Sequence, residues 1–441
     1  MLGPAFVAGV AYLDPGNVAS NMTGGARYGY LLVWVVVLAN VTAWLIQYLS
    51  AKLGVVTGRS LPQVLGGRIR RRSGRVLYWL QAELVAMATD LAEVIGGAVA
   101  LNLLFGTPLL MGGIITGAIS IVLLVVQNRR GPRTFEFVIM GLLAVIVVGF
   151  CVGVFVAPPD AAGLLAGLVP RFTDAGSVLL AASILGATIM PHAIYAHSAL
   201  ARDRWAGAPA VPTPAPDAVP TPPLNHLVAA DPLQEDQRRR NGSEASEDGA
   251  VSGAERYGIP RLLRATRWDV TIAMVIAGAV NLCILLLAAA NLAGIPGTDS
   301  LEGAYAAIGE RLGPLIATLF AVGLLASGLA STSVGAYAGA EIMDGLLHIR
   351  IPLLVRRLVT LIPALVILSL GFDPTVSLVL SQVVLSFGIP FALIPLVVVT
   401  ARSEVLGTYR NRMLTTAAGV AASVFLVALN ATLLWLVITG G

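Results

Sequence analysis

Two short strings inside apolar runs carry the sharpest chemistry of this chain: Asp14-Pro15-Gly16-Asn17 and Gly186-Ala187-Thr188-Ile189-Met190-Pro191-His192. Proline donates no N–H, and its ring clashes with the carbonyl four residues earlier. Pro15 therefore frees the oxygen of Ala11, and Pro191 frees that of Ala187. Free carbonyls in hydrocarbon are costly unless they line a cavity or bind a cation, which is why broken helices mark transport sites. Asp14 adds a carboxylate at mid-span, a functional candidate by default. Asn17 adds a neutral oxygen and Met190 a thioether. A thioether favours transition metals, whereas magnesium and calcium prefer oxygen. The set suits Mn2+, Fe2+ or Cd2+ better than an alkali ion. A lone membrane methionine more often fills a helix interface, but its place beside Pro191 at a break favours the ligand role.

A second constellation concerns protons. Glu83, Asp90 and Glu93 are spaced seven and three apart, so they form one stripe along an otherwise apolar helix. Arg356 and Arg357, at the start of a later span, are their candidate partners, and a purely structural ion pair is the plain alternative. His192 adjoins Met190 and is a candidate for handling the proton. His197 lies five residues on, about 140° around an ideal helix, so one face does not hold both. At His197 a proton role and a simple hydrogen bond stand equally open. Glu341, Asp344 and His348 share a helix face as metal ligands do, but they sit at the end of a span, where polar stripes meet headgroups and water.

The elements that position these residues are membrane helices. Of 441 residues, 57% are hydrophobic and only 12% charged, about half the charged share of a soluble domain. Eleven runs satisfy the length of roughly 20 residues that spans the bilayer: 3–26, 31–56, 76–103, 109–127, 134–156, 176–201, 268–291, 312–346, 353–371, 375–400 and 413–438. Placing the N-terminus in the cytoplasm puts 25 of the 28 basic residues in inner loops, leaving only Arg27, Arg171 and Arg311 outside. The C-terminus then lies outside. The basic residues are spread over these short loops, which excludes a nucleic-acid-binding surface. The two cysteines, Cys151 and Cys283, each lie in an apolar run and supply neither a disulfide framework nor a thiolate site. Residues 203–267 read as a cytoplasmic loop with a disordered linker, rich in proline and then in mixed charge. The loop follows the first six spans. Five is odd, so a duplicated five-helix unit inserts upside down: 1–156 forms the first repeat, 176–400 the second, and 413–438 an extra helix. Asn430-Ala431-Thr432 lies inside a span and Asn241-Gly242-Ser243 in the inner loop, so neither is a glycosylation site.

The Asp-Pro-Gly-Asn and Met-Pro-His strings together resemble the Nramp family of proton-coupled divalent metal transporters, and the similarity covers all eleven spans. The resemblance implies an all-α, LeuT-like membrane fold with broken first and sixth helices, and metal held by Asp14, Asn17, Met190 and the carbonyls of Ala11 and Ala187. It also implies that Gln382 joins the metal in an occluded state. A bond from Gln382 to a neighbouring helix is the alternative. The same resemblance places a salt-bridge network between the third and ninth spans. The expected protein is a monomeric, multi-pass transporter of a bacterial inner membrane that contacts lipid, carries Mn2+ or Fe2+ with protons by alternating access, and has no resident cofactor. Competing readings are a sodium-coupled amino-acid symporter of the same fold and a related magnesium transporter. For a membrane hydrolase the chain offers no activated nucleophile with a base at suitable spacing.

Overall fold

Apolar runs in a membrane must satisfy every backbone hydrogen bond internally, and among the described residues every regular element is helical. The structure is a computed structural model that describes residues 4–204, 258–349 and 351–439. Most of the expected 203–267 linker, and Arg350 of the inner basic set, lie outside the described residues.

The first span is two helices, α1 (Pro4–Ala11) and α2 (Pro15–Tyr28). Then follow α3 (Val33–Thr57), a short α4 (Leu61–Arg68), α5 (Arg72–Phe105), α6 (Leu109–Val156) and a short α7 (Ala161–Gly167). The sixth span is again two helices, α8 (Ala175–Thr188) and α9 (Pro191–Arg204). The remainder comprises α10 (Ile259–Asn291), α11 (Leu301–Leu312), α12 (Pro314–Leu347), α13 (Leu353–Ser369), α14 (Pro374–Ala401), a short α15 (Ser403–Leu406) and α16 (Met413–Thr439).

Eight helices among the described residues are long and apolar enough to cross a membrane. The eleven runs of the sequence map onto them with three differences. The first two runs merge into one stretch, Pro15–Thr57, and Leu109–Val125 falls just short in length. The run at 353–371 becomes α13, which has 17 residues. The helical range of α6 holds two apolar arms, 109–125 and 137–156, which lie side by side. Thr116 touches Gly97 of α5, Gly328 of α12 also touches Gly97, and Gly149 touches Gly323 of α12. A straight helix would separate residues 116 and 149 by about 50 Å. The chain therefore doubles back between the two arms.

The broken helices occupy the middle of the bundle. α2 packs on α8 and α10, α5 packs on α12 and α13, and α14 lies across α8, α2 and α5. α16 sits at the outside of the bundle, against α14 and α8.

Candidate functional site

In the first break, the N–H groups of Tyr12 and Leu13 reach back only three residues, to the carbonyls of Gly9 (3.1 Å) and Val10 (3.0 Å). Asp14 is then extended (φ −70°, ψ 165°) and caps α2, with Pro15 in the first turn where its missing donor costs nothing. Asp14 Oδ1 accepts from the Asn17 backbone N–H at 2.7 Å and from Asn17 Nδ2 at 3.0 Å. The same Nδ2 donates to the Ala187 carbonyl of the second break at 2.8 Å. That oxygen is the one Pro191 deprives of its helical donor. A single amide thus joins the two breaks. Ser20 and Ser183, one turn further along α2 and α8, close a second link at 2.6 Å.

In the second break α8 ends at Thr188 and α9 begins at Pro191, leaving Ile189 and Met190 between them. Met190 is wholly buried, as are Asp14 and Asn17. Gln382 of α14 lies over the first break. A side chain at Gly16 would collide with its amide, so glycine is needed there for close approach rather than for backbone conformation. Gln382 Nε2 is 3.4 Å from Asp14 Oδ2, while its Oε1 is buried without a partner. Among the described residues no three His, Cys, Asp or Glu side chains are arranged to hold a metal. A cation at the breaks would depend on one carboxylate supplemented by neutral oxygen and sulfur.

The carboxylate stripe of α5 meets both arginines of α13. Arg356 pairs with Glu83 at 2.8 Å; Arg357 pairs with Asp90 at 2.6 Å and with Glu93 at 3.2 Å. Arg357 Nε also donates to Ser120 at 3.0 Å. α12 makes room for these contacts through Gly335, where a side chain would press on the carboxylates, and Gly339, where it would overlap the Arg356 guanidinium. The network reaches the first break through packing. Pro15 seats on Gly96, one turn from Glu93 on α5.

The histidines separate as their spacing requires. His192 Nδ1 bonds Thr89 of α5 at 3.1 Å, next to Asp90, and its Nε2 is buried without a partner. His197 Nδ1 bonds Gln47 Oε1 of α3 at 2.5 Å, and Gln47 in turn donates to the Tyr12 hydroxyl. Glu341 of the rejected trio is committed to Arg202 at 3.0 Å.

Several contributors escape sequence reasoning. Asn281 of α10 donates to the Tyr12 carbonyl at 3.0 Å, and Ser327 of α12 donates to that of Leu13. Both complete the backbone of the first break. Outside the membrane, Asp174 caps α8, and its carboxyl is held below the usual range by the Tyr28 hydroxyl at 2.7 Å and the Ser177 N–H at 2.7 Å. Arg27 at the end of α2 pairs with Asp299 at 2.7 Å.

Two discontinuous helices crossing inside a multi-pass bundle, with a buried carboxylate at their joined breaks, define a membrane transporter. The family model described as natural resistance-associated macrophage protein-like matches residues 5–436. The chain is 56% identical over 440 residues to the divalent metal cation transporter MntH of Mycobacterium tuberculosis, covering all of this chain and 92% of that one. It is 43% identical over 444 residues to MntH of Deinococcus radiodurans, covering all of this chain and 90% of the relative. A manganese transporter of Eremococcus coleocola superposes with a TM-score of 0.76 at 29% identity, covering 97% of this chain and 84% of the other. Mhp1, a nucleobase-cation-symport-1 family transporter, shares the fold at a TM-score of 0.51 and 14% identity, covering all of this chain and 93% of the other. The chain belongs to the Nramp family and adopts the LeuT-like fold; it is a transporter and not an enzyme.

Proposed function

We propose that this chain imports divalent transition metals, Mn2+ and Fe2+ with Cd2+ as a further cargo, by proton-coupled alternating access in a bacterial inner membrane. The observation that carries the reading is the Asn17 amide, whose NH2 bridges the Asp14 carboxylate and the Ala187 carbonyl. Two acceptors held around one donor mark where a positive charge is stabilised. On our reading a dication takes the place of that NH2, and the amide turns so that its oxygen faces the metal. Amide orientation follows the hydrogen-bond network, and bonds from the cation to Asp14 and Ala187 replace the two that the NH2 gives up on turning. Met190, the Ala11 carbonyl and Gln382 complete the proposed ligand set.

The proton route we propose starts at Asp14 and uses His192 or the α5 carboxylates. When both are ionised, Asp90 and Glu93 share Arg357 with one negative charge in excess, which a single proton cancels. His192 joins the two regions, since it neighbours Met190 in sequence and bonds Thr89 beside Asp90. The equivalently placed breaks support an inverted five-plus-five repeat, and the distribution of basic residues supports a cytoplasmic N-terminus.

The test is Mn2+ uptake into proteoliposomes with an imposed inward proton gradient. Uptake is expected to rise with the gradient and to vanish in Asp14→Ala. Normal uptake by Asp14→Ala would remove the proposed site, and indifference to the gradient would remove proton coupling.

A further inference from the structure

Helix α14 contains two interior prolines, Pro390 and Pro395. Each deprives the carbonyl four residues earlier of its donor, and in a membrane that acceptor needs a new partner from a side chain, a neighbouring helix or water. Pro390 frees the oxygen of Ser386, and Pro395 that of Phe391. Both are capped from neighbouring helices. Tyr78 of α5 donates its hydroxyl to the Phe391 carbonyl. Asn430 of α16 donates Nδ2 to the Ser386 carbonyl at 2.8 Å. The Asn430 Oδ1 in turn accepts from the Ser386 hydroxyl at 2.8 Å, a proton that the Val383 carbonyl shares at 2.9 Å. Asn430 is buried and so is Ser386.

Ser386 lies one helical turn beyond Gln382, about 6 Å along the axis. The backbone between these two residues also packs closely on α8. A side chain at Gly186 of α8 would collide with the Gln382 carbonyl and reach the Ser386 nitrogen at 2.9 Å. The turn that carries Gln382 thus touches both α8 and α16, and it shares Ser386 with the carbonyl that Pro390 frees.

We propose that Asn430 is a positioning residue for the metal site, holding the Pro390 bend of α14 so that Gln382 stays over Asp14. The inference rests on the reading of Asp14 and Gln382 as metal ligands. It assigns a role to the outermost helix, which contributes no residue to the proposed site itself. The asparagine supplies the donor that proline withdrew, and its position on a different helix lets the bend be set from outside the broken pair.

The test is Mn2+ binding by calorimetry to the purified full chain in lipid nanodiscs. Asn430→Leu leaves a buried carbonyl unsatisfied and is expected to weaken Mn2+ binding about 10-fold, the scale of one buried hydrogen bond. Gln382→Ala is expected to weaken it similarly, and the two together should cost no more than Gln382→Ala alone, because one acts through the other. Pro390→Ala restores a backbone donor to Ser386 and straightens the bend. It is therefore expected to weaken binding with Asn430 intact, and to make Asn430→Leu silent in its background. This arm decides the matter even if Asn430→Leu fails to fold alone. Fully additive losses for Asn430→Leu and Gln382→Ala, or unchanged affinity in Pro390→Ala, would overturn the proposal. If Gln382→Ala itself binds normally while Asp14→Ala does not, the positioning role falls and the Asp14 site stands. Normal binding by Asp14→Ala would instead remove the site on which both depend.

Discussion

The two polar regions of the bundle are built on opposite terms. At the breaks, Asp14 is held entirely by neutral donors: the Asn17 backbone and side chain, and the Gln382 amide at longer range. On α5 the carboxylates have their counter-charges already in place, supplied by Arg356 and Arg357. A buried carboxylate surrounded by neutral dipoles is oriented but not compensated, so it gains most from an arriving cation. A carboxylate already paired with a guanidinium gains little from a second cation, yet a proton still alters its balance. The contrast supports the proposed division between a place where a metal is attracted and a place where protons are exchanged.

The largest expected effect breaks the first half of this contrast. Asp14→Asn keeps the shape and removes the charge, and should lower Mn2+ affinity ~100-fold or more, since losing even an outer-sphere partner of a metal costs 10- to 100-fold. The Mn2+-induced rise in melting temperature should disappear in Asp14→Asn and persist in Asp90→Asn. A rise that persisted in Asp14→Asn would erase the distinction between the regions.

Removing the arginine tests the other half. Arg357→Met leaves Asp90 and Glu93 buried without their cation and should destabilise the fold by about 3–5 kcal/mol. Neutralising both acids in the same chain should recover most of that loss. Thermal melting of the parent, single and triple variants reads this directly, and equal melting of the last two would show that unpaired buried charge is not the source of the loss.

A smaller effect sharpens the metal side alone. Met190→Ala removes the soft side chain at the breaks and should narrow the preference for Mn2+ over Mg2+ by ~10-fold. Competition of Mg2+ with Mn2+ uptake is the measurement, and an unchanged ratio would make Met190 a packing residue.

The smallest effect lies outside the membrane. Asp174 has a folded pKa depressed by the Tyr28 hydroxyl and the Ser177 N–H. The stabilisation it adds is complete above the ordinary aspartate pKa of about 3.9 and is lost as pH falls through the lower folded value. Tyr28→Phe should therefore melt slightly below the parent at neutral pH, with the gap closing in acid. A gap independent of pH would mean that the contact is steric.

Legibility in the sequence followed the range of the interaction. Proline acts on a carbonyl four residues away, so the breaks and the freed Ala187 oxygen could be read directly, and the structure finds Asn17 on that oxygen. The α5 stripe was readable from helical period alone, whereas its division between the arginines, Glu83 to Arg356 and the other two to Arg357, was not. Asn281, Ser327 and Asn430 left no spacing signal, because a single polar residue in an apolar run looks the same whatever helix it faces. Gly335 and Gly339 were similarly silent until the guanidinium groups were seen lying against α12. The open alternative at His197 narrowed to a concrete partner, the Gln47 amide.

The sequence by itself determined the membrane class, the two discontinuities and the carbonyls they release, because hydrocarbon length, helical period and proline geometry are local constraints. Only the tertiary structure decided which donors meet the Ala187 carbonyl and the other free carbonyls of the interior. Asn17 meets Ala187, Asn281 meets Tyr12 and Asn430 meets Ser386 across 170, 269 and 44 residues of chain. In a medium with little water, a backbone oxygen released in one helix gains most from a donor on another, and only the packing of the whole bundle selects which one.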